Sequence, residues 1–255
     1  MSSVLITGAS RGIGRAIAVE LAGRGHRVIA TARNPEHLAD LPVALKLRLD
    51  VTDQASVDEV VAGAGQVDVL VSNAGTTVRA PLESVPLGEV ESLFQLNTFG
   101  ALRVAQAVLP GMRERGDGRL VFVSSVQGRV VLPIIAPYGA SKWALEAIAE
   151  GLALETGHFG VKVSIVQPGA VSSGGAERAK SFFTDDDPYL PLLRQVPALR
   201  GESVTPEEVA AAVADTIEHP APPLRVPVGA PAAKALEARK KASDEEPFLP
   251  VQIDW

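Results

Sequence analysis

Short, wholly apolar runs alternate along the chain with longer stretches in which apolar positions recur every three or four residues. The first run is Val4-Leu5-Ile6. It passes through a glycine-rich turn, residues 7–14, into a stretch that carries Ile17, Ala18, Leu21 and Ala22 on one side. That order predicts strand, turn and amphipathic helix. A strand apolar on both sides belongs in a parallel sheet covered on both faces. Further strand segments, apolar with occasional polar or charged residues, lie at 26–32, 44–49, 67–71, 120–123, 161–166 and 224–228. Helical spacing fills the intervals: weakly at 35–41, better through 62 behind Thr52 or Asp53 as N-cap, over 87–115 as a helix of seven or more turns, from 138 to about 156, and at 206–218. Gly63–Gly65 and Gly116-Asp117-Gly118 close two of these helices. Strands separated by helices predict an α/β architecture, a doubly wound and mostly parallel sheet of seven strands with helices on both faces.

Two regions break that rhythm. Residues 169–201 hold no clear strand and mix Ser172, Ser173, Gly174 and Gly175 with Phe182, Phe183, Tyr189, Leu192 and Leu193. Such a long connection reads as a lid over a site, or as loop helices packed on the core. At the end, 231–255, a charged helix-like segment at 234–246 precedes an apolar tail, 247–255, expected to pack on the body or on a second subunit. No solenoid repeat and no linker divides the chain, so residues 1–255 read as one domain. A chain of 255 residues is long enough to bury one large core.

Composition narrows the chemistry. There is no cysteine, which excludes disulfides and thiolate metal sites, and the four histidines (His26, His37, His158, His219) are scattered without ligand spacing, so no metal is expected. A formal net charge of −6 argues against a nucleic-acid partner. No leader with a basic start and apolar run is visible, and no apolar run approaches 18 residues; the expectation is a cytoplasmic protein without a membrane partner.

The candidate chemistry centres on Tyr138-Gly139-Ala140-Ser141-Lys142. On a helix, Tyr138 and Lys142 fall on one face about a turn apart. An ammonium held near a phenol favours the phenolate, and a hydroxyl such as Ser125 could hold a carbonyl oxygen while Tyr138 exchanges a proton with it. The same spacing fits a buried aromatic beside a lysine whose stem lies along apolar surface. Upstream, Gly8, Gly12 and Gly14 follow a strand and open a helix, where backbone amides and the positive helix end can hold a pyrophosphate. Their spacing, Gly-x-x-x-Gly-x-Gly, differs from the ordinary dinucleotide fingerprint.

Thr7-Gly8-x-x-x-Gly12-x-Gly14, Asn73-Ala74-Gly75, Asn97, Ser125, Tyr138-x-x-x-Lys142 and Pro168-Gly169 stand in the order and spacing of the short-chain dehydrogenase/reductase family, which the chain resembles over about residues 4–229. Ser125, thirteen residues before Tyr138, fits the pattern better than Ser124. Outline and length resemble the family's compact oxidoreductases, and 157–163 and 225–229 resemble its hydroxysteroid and retinol dehydrogenase-like branch. The resemblance implies a single Rossmann-type domain. It implies Tyr138 as general acid or base, Lys142 beside it and on the nicotinamide ribose, Ser125 on the substrate oxygen, and Asn97 holding a water that links Lys142 to solvent. The turn Thr7, Gly8, Ser10, Arg11, Gly12, Ile13 and Gly14 would carry the cofactor's phosphates. Asp50 and Val51 would meet the adenine, Asn73, Ala74 and Gly75 would flank the adenosine side, and Pro168, Gly169 and Val171 would pass the nicotinamide. One departure is Ser72, where the family more often has Asn.

The second strand ends Thr31-Ala32-Arg33, without the acidic residue that binds a ribose 2′-hydroxyl, and Arg11 is a second cation nearby. A guanidinium suits a 2′-phosphate, which favours NADP(H) over NAD(H). The resemblance implies a small-molecule ketone, aldehyde or alcohol as partner, bulky and hydrophobic as the likeness to the hydroxysteroid and retinol dehydrogenase-like branch suggests, and the apolar run 130–135 points to an apolar pocket. Alternatives are an NAD(H)-dependent alcohol dehydrogenase and a non-catalytic dinucleotide sensor. Apolar residues on more than one face of 87–115 and of the Tyr138 helix mean deep burial or a partner, and the resemblance implies that these helices pair with a second copy, so a homodimer or homotetramer is expected.

Overall fold

The computed structural model describes residues 1–175, 178–200 and 202–249, with 196–200 by backbone alone. Seven strands form one sheet: β1 (Ser3–Ile6), β2 (Arg27–Ala32), β3 (Leu45–Arg48), β4 (Val69–Ser72), β6 (Gly118–Val123), β7 (Val161–Pro168) and β9 (Arg225–Val228). Their order is β3-β2-β1-β4-β6-β7-β9 and every pairing is parallel. The doubly wound α/β sheet predicted from the apolar runs is therefore present in full.

The reason lies in two-sided burial. Side chains of β1 alternate between two cores: Val4 and Ile6 pack with Ile17, Leu21, Val209 and Val213, while Leu5 packs with Val57, Val104, Val108 and Leu145. The first group brings helices α1 (Gly12–Gly23) and α7 (Pro206–Glu218) onto one face, and the second brings α2 (Gln54–Ala64), α4 (Gly100–Arg115) and α5 (Ala136–Thr156) onto the other. Local signals agree. Asp53 accepts the Ala55 amide at the start of α2, Thr205 and Glu208 form a reciprocal capping box on α7, and Gly116 ends α4 in the left-handed region.

Several expectations need correction. The weak helix at 35–41 is one 3-10 turn, Pro35–Leu38. The long helix 87–115 is broken: α3 (Leu87–Phe94) passes into a π turn, Gln95–Phe99, before α4 begins. The 169–201 region contains a strand, β8 (Lys180–Ser181), paired in parallel with β5 (Val78–Arg79), and a helix, α6 (Leu190–Arg200). The C-terminal helix α8 runs Ala230–Lys241, earlier at both ends than 234–246. Of the tail expected at 247–255, Phe248 packs on the body beside Val130, Leu132, Ile135 and Leu236, and 250–255 lie outside the described residues. No helix among the described residues is long and apolar enough to cross a membrane.

Candidate active site

Strand order reverses between β1 and β4, and in sheets of this kind the crevice beyond the strand C-termini at the reversal is where ligands bind. A cavity of about 920 Å³ opens there. Segments following six strands of the sheet and the start of α8 supply its wall.

The glycine turn is shaped by close approach. Gly8 has φ +70°, and a Cβ on it would sit 2.9 Å from the Ala74 Cα; a Cβ on Gly14 would collide with the Gly8 carbonyl and the Asn73 amide. Thr7 ties the turn to the next segment: its Oγ1 accepts the Asn73 and Ala74 N–H groups at 2.9 and 3.0 Å, while Asn73 Nδ2 donates to the Thr7 and Gly8 carbonyls at 3.0 and 3.2 Å. Arg11 stands at the α1 N-cap without a side-chain cap, and the first turn of α1 has no acidic residue. That end is open to an anion, and Ser10, Arg11, Gly12, Ile13 and Gly14 all face the cavity. Arg33 faces it from the end of β2, and Asp50 and Val51 from beyond β3. The Thr52 hydroxyl, at 2.7 Å, is the main reason the Asp50 carboxyl lies below its usual range, with Arg33 and Arg48 adding to it.

At the other end of the cavity stand Ser125, Tyr138 and Lys142. Helix α5 begins at Ala136 with Pro137 in its first turn, which places Tyr138 and Lys142 one turn apart. Lys142 Nζ is 5.8 Å from the Tyr138 ring centre and donates to the Val123 carbonyl at 2.9 Å. Lys142 is only 4% exposed, and burial pushes its pKa down to about 8 although Glu146 pulls the other way. The two neighbouring serines part company. Ser124 donates to Glu146 at 3.0 Å, whereas Ser125 Oγ accepts the Gln127 N–H at 3.2 Å at the head of the 3-10 turn Val126–Gly128.

Of the predicted residues, Gly8, Ser10, Arg11, Gly12, Ile13, Gly14, Arg33, Asp50, Val51, Asn73, Ala74, Gly75, Ser125, Tyr138, Lys142, Gly169 and Val171 are brought onto one wall. Thr7, Asn97 and Pro168 are buried behind it. Asn97 lies in the π turn; its Oδ1 accepts the Thr76 N–H at 2.9 Å, and its Nδ2 donates to the Thr76 carbonyl and to Ser141 Oγ. Its side chain thus braces the segment after β4 against α5.

Sequence reasoning missed three contributors. Glu146, one turn beyond Lys142, is buried and accepts from Ser124, from Gln167 at 2.8 Å and from Arg225 at 3.0 Å. Helix α8 lines the cavity through Pro231, Ala232, Lys234, Ala235 and Ala238, a role foreshadowed by Gly229-Ala230-Pro231 as a helix start. Gln127 lines it beside Ser125. The 169–201 segment is clasped to its neighbours: β8 pairs with β5, Phe182 N–H donates to the Arg79 carbonyl at 2.9 Å, Tyr189 reaches Glu83 at 2.6 Å and Lys180 reaches Glu89 at 2.8 Å. Ala80 N–H in turn donates to the carbonyl of Ile134, a buried residue at φ +67°. Among the described residues no cluster of His, Asp or Glu is placed to hold a metal.

Comparison with known proteins identifies the family and the fold. The profile of the family described as short chain dehydrogenase matches residues 2–182. A 3-ketodihydrosphingosine reductase of Bacteroides thetaiotaomicron is 34% identical over 94% of this chain and 91% of its own. Human retinol dehydrogenase 8 is 35% identical over 88% and 80%. A solved short-chain dehydrogenase from Streptomyces avermitilis superposes with TM-score 0.84 at 38% identity, covering 93% of this chain and 91% of that one. Another, from Burkholderia cenocepacia in complex with NADP, superposes at 0.78 with 28% identity and 94% coverage of both chains.

Proposed function

Because the chain belongs to the short-chain dehydrogenase/reductase family, in its hydroxysteroid- and retinol-dehydrogenase-like branch, and is thereby an NAD(P)-dependent oxidoreductase, we propose that it interconverts a hydrophobic ketone or aldehyde and its alcohol with NADP(H). The observation that carries this reading is one cavity with two ends: a glycine-lined turn and two arginines at one, Ser125, Tyr138 and Lys142 at the other.

The residues present fit a nicotinamide dinucleotide, since the first turn of α1 has no side-chain cap and no acidic residue and faces the cavity beside Arg11 and Arg33. When bound, that group supplies or takes the hydride. The amides of Gly12 to Gly14 would hold phosphate, and Arg11 and Arg33 would serve a 2′-phosphate as charge-assisted donors. A structural relative carries NADP. Ser125 accepts one backbone N–H, so its own proton is left to point at the substrate oxygen. Tyr138 delivers the proton to that oxygen in reduction and takes it in oxidation. The Lys142 ammonium, held by the Val123 carbonyl, stabilises the charge that Tyr138 acquires. Val126, Val130, Leu132 and Ile135 give the substrate side an apolar wall, and the clasped 169–201 segment covers it as a lid.

We also assign this chain to a homodimer or homotetramer. Leu154 on α5 is 82% exposed, and Phe99 and Phe159 are exposed as well, apolar surface that a second copy would cover. The decisive experiment for the activity is Tyr138→Phe: turnover is expected to fall by at least about 10³-fold while NADPH affinity stays within about threefold. Full activity in that variant would remove Tyr138 from the mechanism.

A further inference from the structure

Gln127 occupies a place that the reaction does not use. It is 9% exposed, its Oε1 is buried, and that oxygen has no hydrogen-bond partner among the described residues. Buried amide oxygens are normally satisfied, and one that is not marks a place where a ligand or water belongs. Gln127 lines the cavity. Its position is keyed to the chemistry from two sides: its own N–H is bound by Ser125 Oγ, and a Cβ on Gly139, the residue after Tyr138, would lie 3.8 Å from its Oε1. Around it, Val126, Val130, Leu132 and Ile135 offer neither donor nor acceptor side chains.

Resting on the carbonyl reductase reading above, we propose that Gln127 is the specificity-determining residue of the substrate pocket, and that its amide oxygen accepts a hydrogen bond from a hydroxyl carried close to the reacting carbonyl. The substrate class is then a hydroxy ketone with an apolar remainder, and the product is a diol. A neutral hydroxyl suits the site better than an ammonium group, because Arg178 and Lys234 already bring positive charge to the same cavity. A site that hydrogen-bonds a substrate group discriminates strongly against an analogue that lacks it, since the buried oxygen is then left unpaired.

The test compares three ketones with NADPH: 1-hydroxyoctan-2-one, 1-methoxyoctan-2-one and octan-2-one. The methoxy compound matches the electron withdrawal of the hydroxy compound and cannot donate. Wild type is expected to favour the hydroxy over the methoxy ketone in kcat/KM by about 10- to 100-fold. Gln127→Met is expected to bring that ratio close to one while changing kcat/KM for octan-2-one by less than about threefold, and Gln127→Glu, which keeps an acceptor, to retain the preference. The wild-type ratio decides the matter even if a variant fails to fold. Equal rates for hydroxy and methoxy ketones in wild type, or an unchanged ratio in Gln127→Met, overturn the Gln127 proposal and leave the reductase reading standing. Absence of turnover with all three ketones, and with the three matching alcohols and NADP⁺, overturns the reductase reading and the proposal together.

Discussion

Lys142 and Glu146 stand one turn apart on α5, both buried, and each is held by different partners. The ammonium donates to Val123 on β6, while the carboxylate gathers Ser124, Gln167 and Arg225 from β7, β9 and the end of β6. Burial lowers the lysine's pKa from 10.5 to about 8, and the carboxylate opposes that shift from a distance. Since the folded value is the lower one, the unfolded chain holds this proton more tightly. The cost of burying the ammonium is fully present below about pH 8 and is relieved as pH rises toward 10.5, with a ceiling of roughly 3 kcal/mol.

The first prediction concerns pH and rate. On the proposed mechanism carbonyl reduction needs the ammonium, so kcat/KM should decline above about pH 8. Glu146→Gln removes the charge that raises the lysine's proton affinity and should move this alkaline limb to lower pH. Parallel pH–rate profiles check it; superimposable limbs would show that Glu146 does not act on Lys142.

A second concerns stability. Glu146→Ala leaves Arg225 and Gln167 without their buried acceptor, which is expected to lower the unfolding free energy by about 3 kcal/mol in urea titration. The loss should sit at the low end for a broken buried pair, because Arg225 is 27% exposed and keeps Glu150. A change below about 1 kcal/mol would mean that the cluster relaxes to water.

Cofactor preference gives a third. Arg33→Ala should weaken NADPH binding by about 10- to 100-fold, the worth of one or two charge-assisted hydrogen bonds, and leave NADH within about threefold. Fluorescence titration of both reduced cofactors reads it directly. Tighter binding of NADH by the wild type would reverse the assignment.

The lid supplies a fourth. Lys180 is largely exposed in its pair with the more covered Glu89, so Lys180→Ala should change stability by less than about 1 kcal/mol. Phe182→Pro is different, since it deletes the N–H that binds the Arg79 carbonyl. That variant should be cut faster by protease near residue 180 and lose kcat/KM, with global stability little changed. Equal cleavage rates would show that the clasp does not hold the segment down.

How far the sequence reveals this molecule depends on what each feature answers to. The central strands are legible because runs such as Val4–Ile6 are apolar on both sides, as a covered parallel sheet demands, whereas the edge strands β3 and β9, which carry Lys46, Arg48 and Arg225, are legible from their place between helices. Tyr138 and Lys142 are legible because a four-residue spacing on one helix is a local relationship, and it holds although the helix begins at Ala136, two residues earlier than expected. The π turn at Gln95–Phe99 is not. It answers to tertiary contacts: Asn97 bonds to Thr76 and Ser141, and Gly100 lies so close to Val51 that a Cβ there would sit 2.6 Å from Val51 Cγ2. Strands β5 and β8 are two residues each and show no period at all. Gln127 and Glu146 carry no signal in isolation, because what sets them apart is a missing partner in one case and an abundance of partners in the other.

The reversal of strand order between β1 and β4 has a further consequence. It divides the cavity wall by chain position: the glycine turn, Arg33, Asp50 and Asn73 all come before residue 76, whereas Ser125, Gln127, Tyr138, the 169–201 segment and α8 all come after residue 124. The two halves share the sheet but few loops. On the reading given above, the arginines that would choose between the two cofactors lie on the first stretch and the residues proposed to choose the substrate on the second, while Lys142, Gly169 and Val171 of the second stretch also serve the nicotinamide end. A change of cofactor preference can therefore be engineered at Arg11 and Arg33 without touching the substrate wall.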